Sequence, residues 1–336
     1  MSPTSGLTHE LRLPKTDVPT LWARGVTKRF GDVLANDDVH FAAYPHEVHA
    51  LLGENGAGKS TLMKILYGYT RPDSGEILLD GLRAELKSPA DARRLGVGMV
   101  FQQSTLIPAF TVAENIALFL SDLPAVIDRS AIARRITEVS GHYGLAVDPW
   151  KRAGHLSAGE QQRVEVVKLL VAGARFLIFD EPTSLLTAHE IDALFDVFAK
   201  LKLDGYPVVF ITHKLNEVME VSDRITVMRR GRVTGTVLTP ETSEEALVRL
   251  MFGESHRRTS EVKPAEPSDG PPILELKSVS TSPMEGLPLS SVDLSVRPGE
   301  IVGVAGVSGN GQRELGNVIL GIQRITRGFK QLFGKD

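Results

Sequence analysis

The chain has 336 residues, room for two domains, and sets 38 Lys plus Arg against 41 Asp plus Glu for a formal net charge of -3. That balance disfavours a basic groove for nucleic acid or an anionic membrane surface, and the absence of cysteine excludes disulfides and thiolate metal sites. No uninterrupted apolar run reaches the roughly 18 residues of a membrane span, and the N-terminus lacks a signal-peptide pattern, so a chain soluble by itself is expected.

Residues 1–19 carry Ser, Thr and Pro with scattered charges and no sustained period, which reads as a loose tail. Residues 21–26 open the folded part as a short strand, and Lys28-Arg29-Phe30-Gly31 turns away from it. A strand over 46–52 then leads into Gly53-Glu54-Asn55-Gly56-Ala57-Gly58-Lys59-Ser60, followed by Thr61. This stretch fits G-x-x-x-x-G-K-[ST], in which glycines let backbone N–H groups close around phosphate oxygens and the lysine adds a mobile positive charge. Residues 62–66 continue as a helix, whose positive N-terminal end favours a triphosphate. The motif points to a nucleoside triphosphate with Mg²⁺ and leaves kinase, GTPase and motor open. His46 and His49, three apart on one strand, would face opposite ways, which argues against a metal between them.

Pro72-Asp73-Ser74-Gly75 reads as a turn, residues 76–79 as a strand and Asp80-Gly81 as a hairpin signal. Another apolar strand over 97–101 ends at Gln102-Gln103. Residues 111–145 read mainly as helices, with Thr111 capping ahead of Glu114, and interrupt the strands as an inserted subdomain would. Ser157 caps the next helix, whose Val164, Val167 and Val171 share a face. Residues 176–179 form a continuous apolar strand of the kind buried on both sides in a parallel sheet, and it runs into Asp180-Glu181. A helix over 188–203, a strand over 208–212, a further helix and a strand over 224–228 complete the alternation. The pattern predicts an α/β fold with a mostly parallel core and ligands at the carboxyl ends of its strands, just where Gly53, Asp180 and His213 fall. Residues 254–272, rich in Pro, Ser and charge, read as a linker.

The beginning then recurs at a constant offset, 274 − 21 = 253, without gaps. Leu21, Val39, Pro45, Glu47, Gly53, Gly56, Gly58, Leu62, Gly68, Gly75 and Gly81 meet Leu274, Val292, Pro298, Glu300, Gly306, Gly309, Gly311, Leu315, Gly321, Gly328 and Gly334. Gln312 stands opposite Lys59 and Arg313 opposite Ser60, so the copy keeps the glycines and loses the lysine and the hydroxyl. Residues 273–336 are therefore expected to be an incomplete second domain with a degenerate phosphate loop.

Leu156-Ser157-Ala158-Gly159-Glu160-Gln161-Gln162-Arg163 resembles the signature of ABC-type ATPases, usually Leu-Ser-Gly-Gly-Gln, placed shortly before the Asp180-Glu181 strand. The likeness covers nearly all of 21–253. It implies a P-loop NTPase domain with a mostly parallel sheet, an antiparallel edge subdomain and an inserted helical subdomain. The tandem layout, Ile211-Thr212-His213-Lys214-Leu215 and the altered second loop resemble ATP-binding subunits of bacterial importers for simple sugars or nucleosides, and residues 160–165 and 235–251 lean to the nucleoside side.

The resemblance implies ATP held by Gly53, Glu54, Asn55, Gly56, Ala57, Gly58, Lys59, Ser60 and Thr61, and Mg²⁺ held by Ser60, Asp180 and Gln102. Gln103 is an alternative to its neighbour. Glu181 is the implied base or water-positioner, His213 the implied γ-phosphate contact or else a cap for the following helix, and Phe30 the implied adenine-stacking ring or else a core residue. Ser157 and Gly159 would reach the ATP of a second nucleotide-binding domain, closing head to tail, a second copy of this chain included. Implied partners are integral-membrane permease subunits and, indirectly, an extracytoplasmic solute-binding protein, at the cytoplasmic face of the membrane. Ala158 departs from the signature glycine, and Thr187 stands where many relatives have Asp. A soluble ABC ATPase acting on ribosomes or DNA would call for a basic surface, which the charge balance opposes; a noncatalytic truncated subunit is the other alternative.

Overall fold

A computed structural model of the chain describes residues 18–120, 128–253, 270–282, 288–306 and 310–335. The chain divides into two units, Met1–Arg257 and Arg258–Asp336. Of the expected tail over 1–19, residues 1–17, and of the expected linker over 254–272, residues 254–269 lie outside the described residues.

In the first unit the chain runs β1 (Leu21–Phe30), β2 (Val33–Ala43), β3 (Val48–Gly53), α1 (Lys59–Leu66), β4 (Ser74–Leu79), β5 (Leu82–Arg83), α2 (Pro89–Arg94) and β6 (Val97–Val100). The helices α3 (Val112–Phe119), α4 (Arg129–Tyr143) and α5 (Ala158–Val171) follow. Then come β7 (Phe176–Asp180), α6 (Ala188–Leu203), β8 (Val208–Thr212), α7 (Leu215–Val221), β9 (Arg224–Arg229), β10 (Arg232–Leu238) and α8 (Glu244–Phe252).

Strands β9, β3, β8, β7 and β6 lie side by side and parallel, with β10 antiparallel on the β9 edge. A second, antiparallel sheet has the order β2-β1-β4-β5. Every residue of β3, β7 and β8 is buried, as parallel strands covered on both faces require. Their side chains alternate between two cores. Val48, Ala50, Leu52, Leu177, Phe179, Val208 and Phe210 join the helical side, while Leu51, Ile178, Val209 and Ile211 pack with α1 and the antiparallel sheet. The sheet is thus clamped from both sides, so a ligand can reach its central strands only at their ends. Among the described residues no helix is long and apolar enough to cross a membrane.

The structure differs from the sequence expectations in both sheets and at the entry to the glycine loop, and it adds helices α2 and α8. Strand β1 does not turn at Lys28; register shifts between Ala23 and Arg29 let it bend and continue to Phe30. The strand before the glycine loop begins at Val48, because His46 sits in the preceding turn at φ 59° with its Nδ1 3.1 Å from the Lys202 carbonyl. Strands β2 and β10, which the sequence pattern did not reveal, complete the two sheets.

The second unit holds β11 (Leu274–Thr281), β12 (Val292–Val296), α9 (Gln312–Ile319) and β13 (Ile325–Leu332), with sheet order β12-β11-β13. Helix α9 begins and ends at the positions equivalent to the ends of α1, and both start behind a left-handed glycine, Gly58 at φ 101° and Gly311 at φ 93°. Gly75 and Gly328 show why those glycines persist: a Cβ would lie 2.5 Å from the Gly25 carbonyl oxygen in one and 2.3 Å from the Lys277 carbonyl oxygen in the other.

Phe198 is fully buried, its ring centroid 4.7 Å from Phe179, 5.8 Å from Phe210 and 6.1 Å from Phe195. Truncating it leaves a cavity under the central strands. Phe198→Ala is expected to lower unfolding free energy by about 3–5 kcal/mol, measured in denaturant at unchanged m value. A loss under about 1 kcal/mol would mean that the aromatic cluster repacks without cost.

Candidate functional site

The site grows from the end of β3. Only glycine fits at the end of the strand, because a Cβ at Gly53 would lie 2.3 Å from the Met228 carbonyl oxygen, and the glycine loop then winds into α1. Lys59, the first residue of α1, is 5% exposed, and its Nζ donates to the carbonyls of Gly53 at 2.7 Å and Glu54 at 2.8 Å. The ammonium therefore caps its own loop from inside. Burial pushes its pKa down, opposed by the charges of Glu181, Asp180 and Glu54.

One nearby strand, β7, delivers both acids. Asp180 ends β7, and its Oδ1 accepts from the Ser60 hydroxyl at 3.3 Å. Burial pushes the Asp180 carboxyl above the usual carboxylate range, with the Ser60 hydrogen bond and the Lys64 and Lys59 charges pulling the other way. Glu181 follows at φ 47°, a left-handed backbone that costs a non-glycine residue about 1 kcal/mol and that turns its side chain out of the strand's alternation. Its carboxylate accepts from Gln102 Nε2 at 3.2 Å and faces His213 Nδ1 at 3.4 Å. Gln102 follows β6 and His213 follows β8, so the ends of three adjacent strands meet on one carboxylate.

His213 is not the cap of α7: Lys214 occupies the cap position, and its N–H donates to the Thr212 hydroxyl at 3.1 Å. Phe30, 50% exposed at the end of β1, is no core residue; the Lys28 ammonium lies 5.4 Å from its ring centroid. Gln103 is exposed and makes no described side-chain contact with Glu181. His49 is buried, its Nε2 2.8 Å from the Thr226 hydroxyl, and burial with the nearby Arg224 charge pushes its pKa down to about 3, so it stays neutral. Among the described residues no group of three His, Cys, Asp or Glu side chains is placed to hold a metal. Ser60 and Asp180 offer the oxygen donors that suit a hard cation such as Mg²⁺, which completes its shell with water and phosphate.

Ser157 and Gly159 stand apart from this cluster. Ser157 caps α5, accepting from the Glu160 N–H at 3.2 Å while its own N–H donates to the Glu160 carboxylate at 2.7 Å. Gly159 is buried under Glu190, whose Oε1 would lie 2.1 Å from any Cβ there. Thr187, in turn, caps α6 through that same Glu190, its hydroxyl donating at 2.9 Å.

Sequence reasoning missed the braces behind the loop. Asn36 on β2 is fully buried and donates from Nδ2 to the Gly58 carbonyl at 3.1 Å, and a Cβ on Gly58 would meet the Ala35 carbonyl oxygen at 2.2 Å. Gly231, between β9 and β10, donates to the Ala57 carbonyl at 3.0 Å and accepts from the Asp37 N–H at 2.9 Å. No local pattern advertises these residues, because their role is set by a distant backbone.

Residues 36–184 match the family described as ABC transporter. Over 313 residues the chain is 45% identical to the nucleoside import ATP-binding protein NupA of Lactococcus lactis subsp. cremoris, covering 93% of this chain and 62% of the relative. It is 45% identical over 311 residues to the ribose import ATP-binding protein RbsA 1 of Rubrobacter xylanophilus, covering 92% of this chain and 61% of the relative. The chain thus spans about three fifths of the length of these curated relatives. Among solved structures, the dimeric post-hydrolysis state of the ATP-binding cassette MJ0796 bound to ADP and Pi matches with TM-score 0.58 at 26% identity, over 65% of this chain and 98% of that one.

The buried acid has a testable cost. Because its folded-state pKa is raised, ionised Asp180 destabilises the fold: the penalty is absent below the unfolded-state pKa and complete above the folded-state value. Without nucleotide or metal, Asp180→Asn is expected to melt above the parent at about pH 7, with the gap narrowing at about pH 4. A gap independent of pH would rule out desolvation as its cause.

Proposed function

We propose that this chain belongs to the ABC transporter family and that residues 20–253 form an ATP-binding and ATP-hydrolysing domain that energises import of a small solute through partner permeases. The observation that carries this reading is the meeting of Lys59, Ser60, Asp180, Glu181, Gln102 and His213 at adjoining strand ends. Residues 254–272 would link this domain to 273–336, the opening of a second one whose phosphate loop has lost its lysine.

The residues divide the work. Gly53, Glu54, Asn55, Gly56, Ala57, Gly58 and Thr61 would wrap backbone donors around the β and γ phosphates, and Lys59 would exchange its loop carbonyls for phosphate oxygens. Ser60 and Asp180, with Gln102 nearby, would hold Mg²⁺, which supplies charge neutralisation on the phosphates. Phe30 has the exposure needed to stack on adenine. Glu181, steadied by Gln102 and facing His213, would orient the attacking water and accept its proton as the new P–O bond forms and the bond to ADP breaks. His213 would contact the γ phosphate.

Among the described residues Ser157 hydrogen-bonds within its own helix cap, to Glu160, which fits a role of Ser157 and Gly159 toward a second nucleotide-binding domain, another copy included. ATP bridging two such faces would favour a closed pair that hydrolysis releases, and that difference would drive the permeases at the cytoplasmic face of the membrane. The names of the relatives favour a simple sugar or a nucleoside as the solute. An extracytoplasmic solute-binding protein would be an indirect partner.

The test separates binding from chemistry. Lys59→Ala is expected to lower ATP affinity at least about 100-fold, whereas Glu181→Gln should retain binding and lose at least about 100-fold in turnover. Ser157→Arg should leave binding in place and abolish the protein-concentration dependence of turnover. Turnover unchanged by Glu181→Gln would refute the assignment of the base.

A further inference from the structure

Helix α5 carries a charge pair that the proposed chemistry does not use. The side chains of Glu165 and Lys168, 3% and 6% exposed, form an ion pair one turn apart in mid-helix. Glu165 Oε1 accepts from the Thr105 N–H at 2.7 Å, the Thr105 hydroxyl at 2.9 Å and the Ser104 hydroxyl at 3.4 Å. Lys168 Nζ donates to the same Thr105 hydroxyl at 2.8 Å and lies 5.0 Å from the Phe119 ring centroid. Stability does not explain two buried charges, since apolar side chains of equal volume in such a place cost nothing and often stabilise. What the pair gains is a grip on the segment after β6.

That segment holds Gln102. It leaves the sheet at Val100 and belongs to no strand or helix before α3, so its position depends on side-chain anchors. Gln102, Ser104, Gln161, Gln162, Glu165 and Glu181 line one cavity of about 90 Å³, with the Gln102 amide on the Glu181 carboxylate at one side and the Glu165 anchor at the other. We propose that Glu165 and Lys168 are positioning residues: by clamping Ser104 and Thr105 to α5 they hold the Gln102 amide against Glu181. Because Ser157 caps the same helix, a partner seated on that end moves Gln102 with it. The catalytic half of this assignment rests on Glu181 acting in ATP hydrolysis; the anchoring half does not.

Two variants test it in the full chain. Glu165→Met with Lys168→Met removes both charges at nearly constant volume, and Thr105→Val removes the shared hydroxyl while leaving α5 intact. Each is expected to keep its melting behaviour and to bind ATP within about twofold of the parent, while turnover at saturating ATP falls about tenfold or more. Amide hydrogen exchange over residues 102–105 should quicken about tenfold without change in β7, a local readout that needs no nucleotide. Unaltered exchange in both variants overturns the anchoring, as does melting of α5 in both. Faster exchange with undiminished turnover overturns the link to Glu181. A parent chain that hydrolyses no ATP refutes the proposed function instead, and the exchange alone then decides whether the pair holds the loop.

Discussion

A single desolvated ammonium sets the terms for this site. Lys59 is buried at the start of α1, and two carbonyls of its own loop hold it there. Such a charge survives out of water only where acceptors and opposite charge surround it, and the ends of β3 and β7 supply them. The acid that lies across from it suffers the complementary penalty, burial having raised its proton affinity. Lysine and aspartate are each poorly placed for stability and well placed for a polyphosphate with its cation, which would satisfy both. The fold around them must supply the missing stability, and it does so through strands covered on two faces and the aromatic cluster around Phe198.

Glu181 adds a second, smaller strain. A left-handed backbone at a non-glycine residue is tolerated only when neighbours over-determine it. Here the Glu181 N–H donates to the Ile211 carbonyl at 3.1 Å, and its own carbonyl accepts from the Ser184 N–H and hydroxyl. The conformation carries the carboxylate away from the buried strand toward Gln102 and His213. A regular strand residue would have pointed into one of the two cores, where a carboxylate has no partner.

The glycine loop, the acidic pair and the serine cap are legible in the sequence because each is a local pattern whose spacing already encodes its geometry. Three strand ends meeting at Glu181 also follow from alternation of strands and helices, as parallel strands present equivalent ends. Asn36, Gly231, Glu165 and Lys168 are not legible. Asn36 interrupts the apolar alternation of β2 and so hid the strand itself, yet its buried amide braces Gly58 across 22 positions of sequence. Glu165 and Lys168 read as the ordinary polar content of a helix until the segment from β6 folds over them. His46 shows the reverse error: its neighbours suggest a strand, and a left-handed turn prevails because the chain must enter the sheet at Val48.

The two units separate local from non-local causes. Both keep glycines at equivalent turns, and the first helix occupies the same span in each, so turn chemistry and helix start are written locally. The apolar stretch before the loop behaves differently. In the first unit it is β3, wholly buried between β8 and β9. In the second, residues 301–305 form no strand, and Ile301 is 99% exposed. Among the described residues of 258–336 nothing plays the part of β8 or β9. A central parallel strand has no hydrogen-bond partner of its own; it exists only when chain from far along the sequence arrives on both sides. Residues 48–53 therefore specify the place of the glycine loop, but residues 208–229 make that place a strand end, and only a strand end can aim the loop at Asp180 and Glu181.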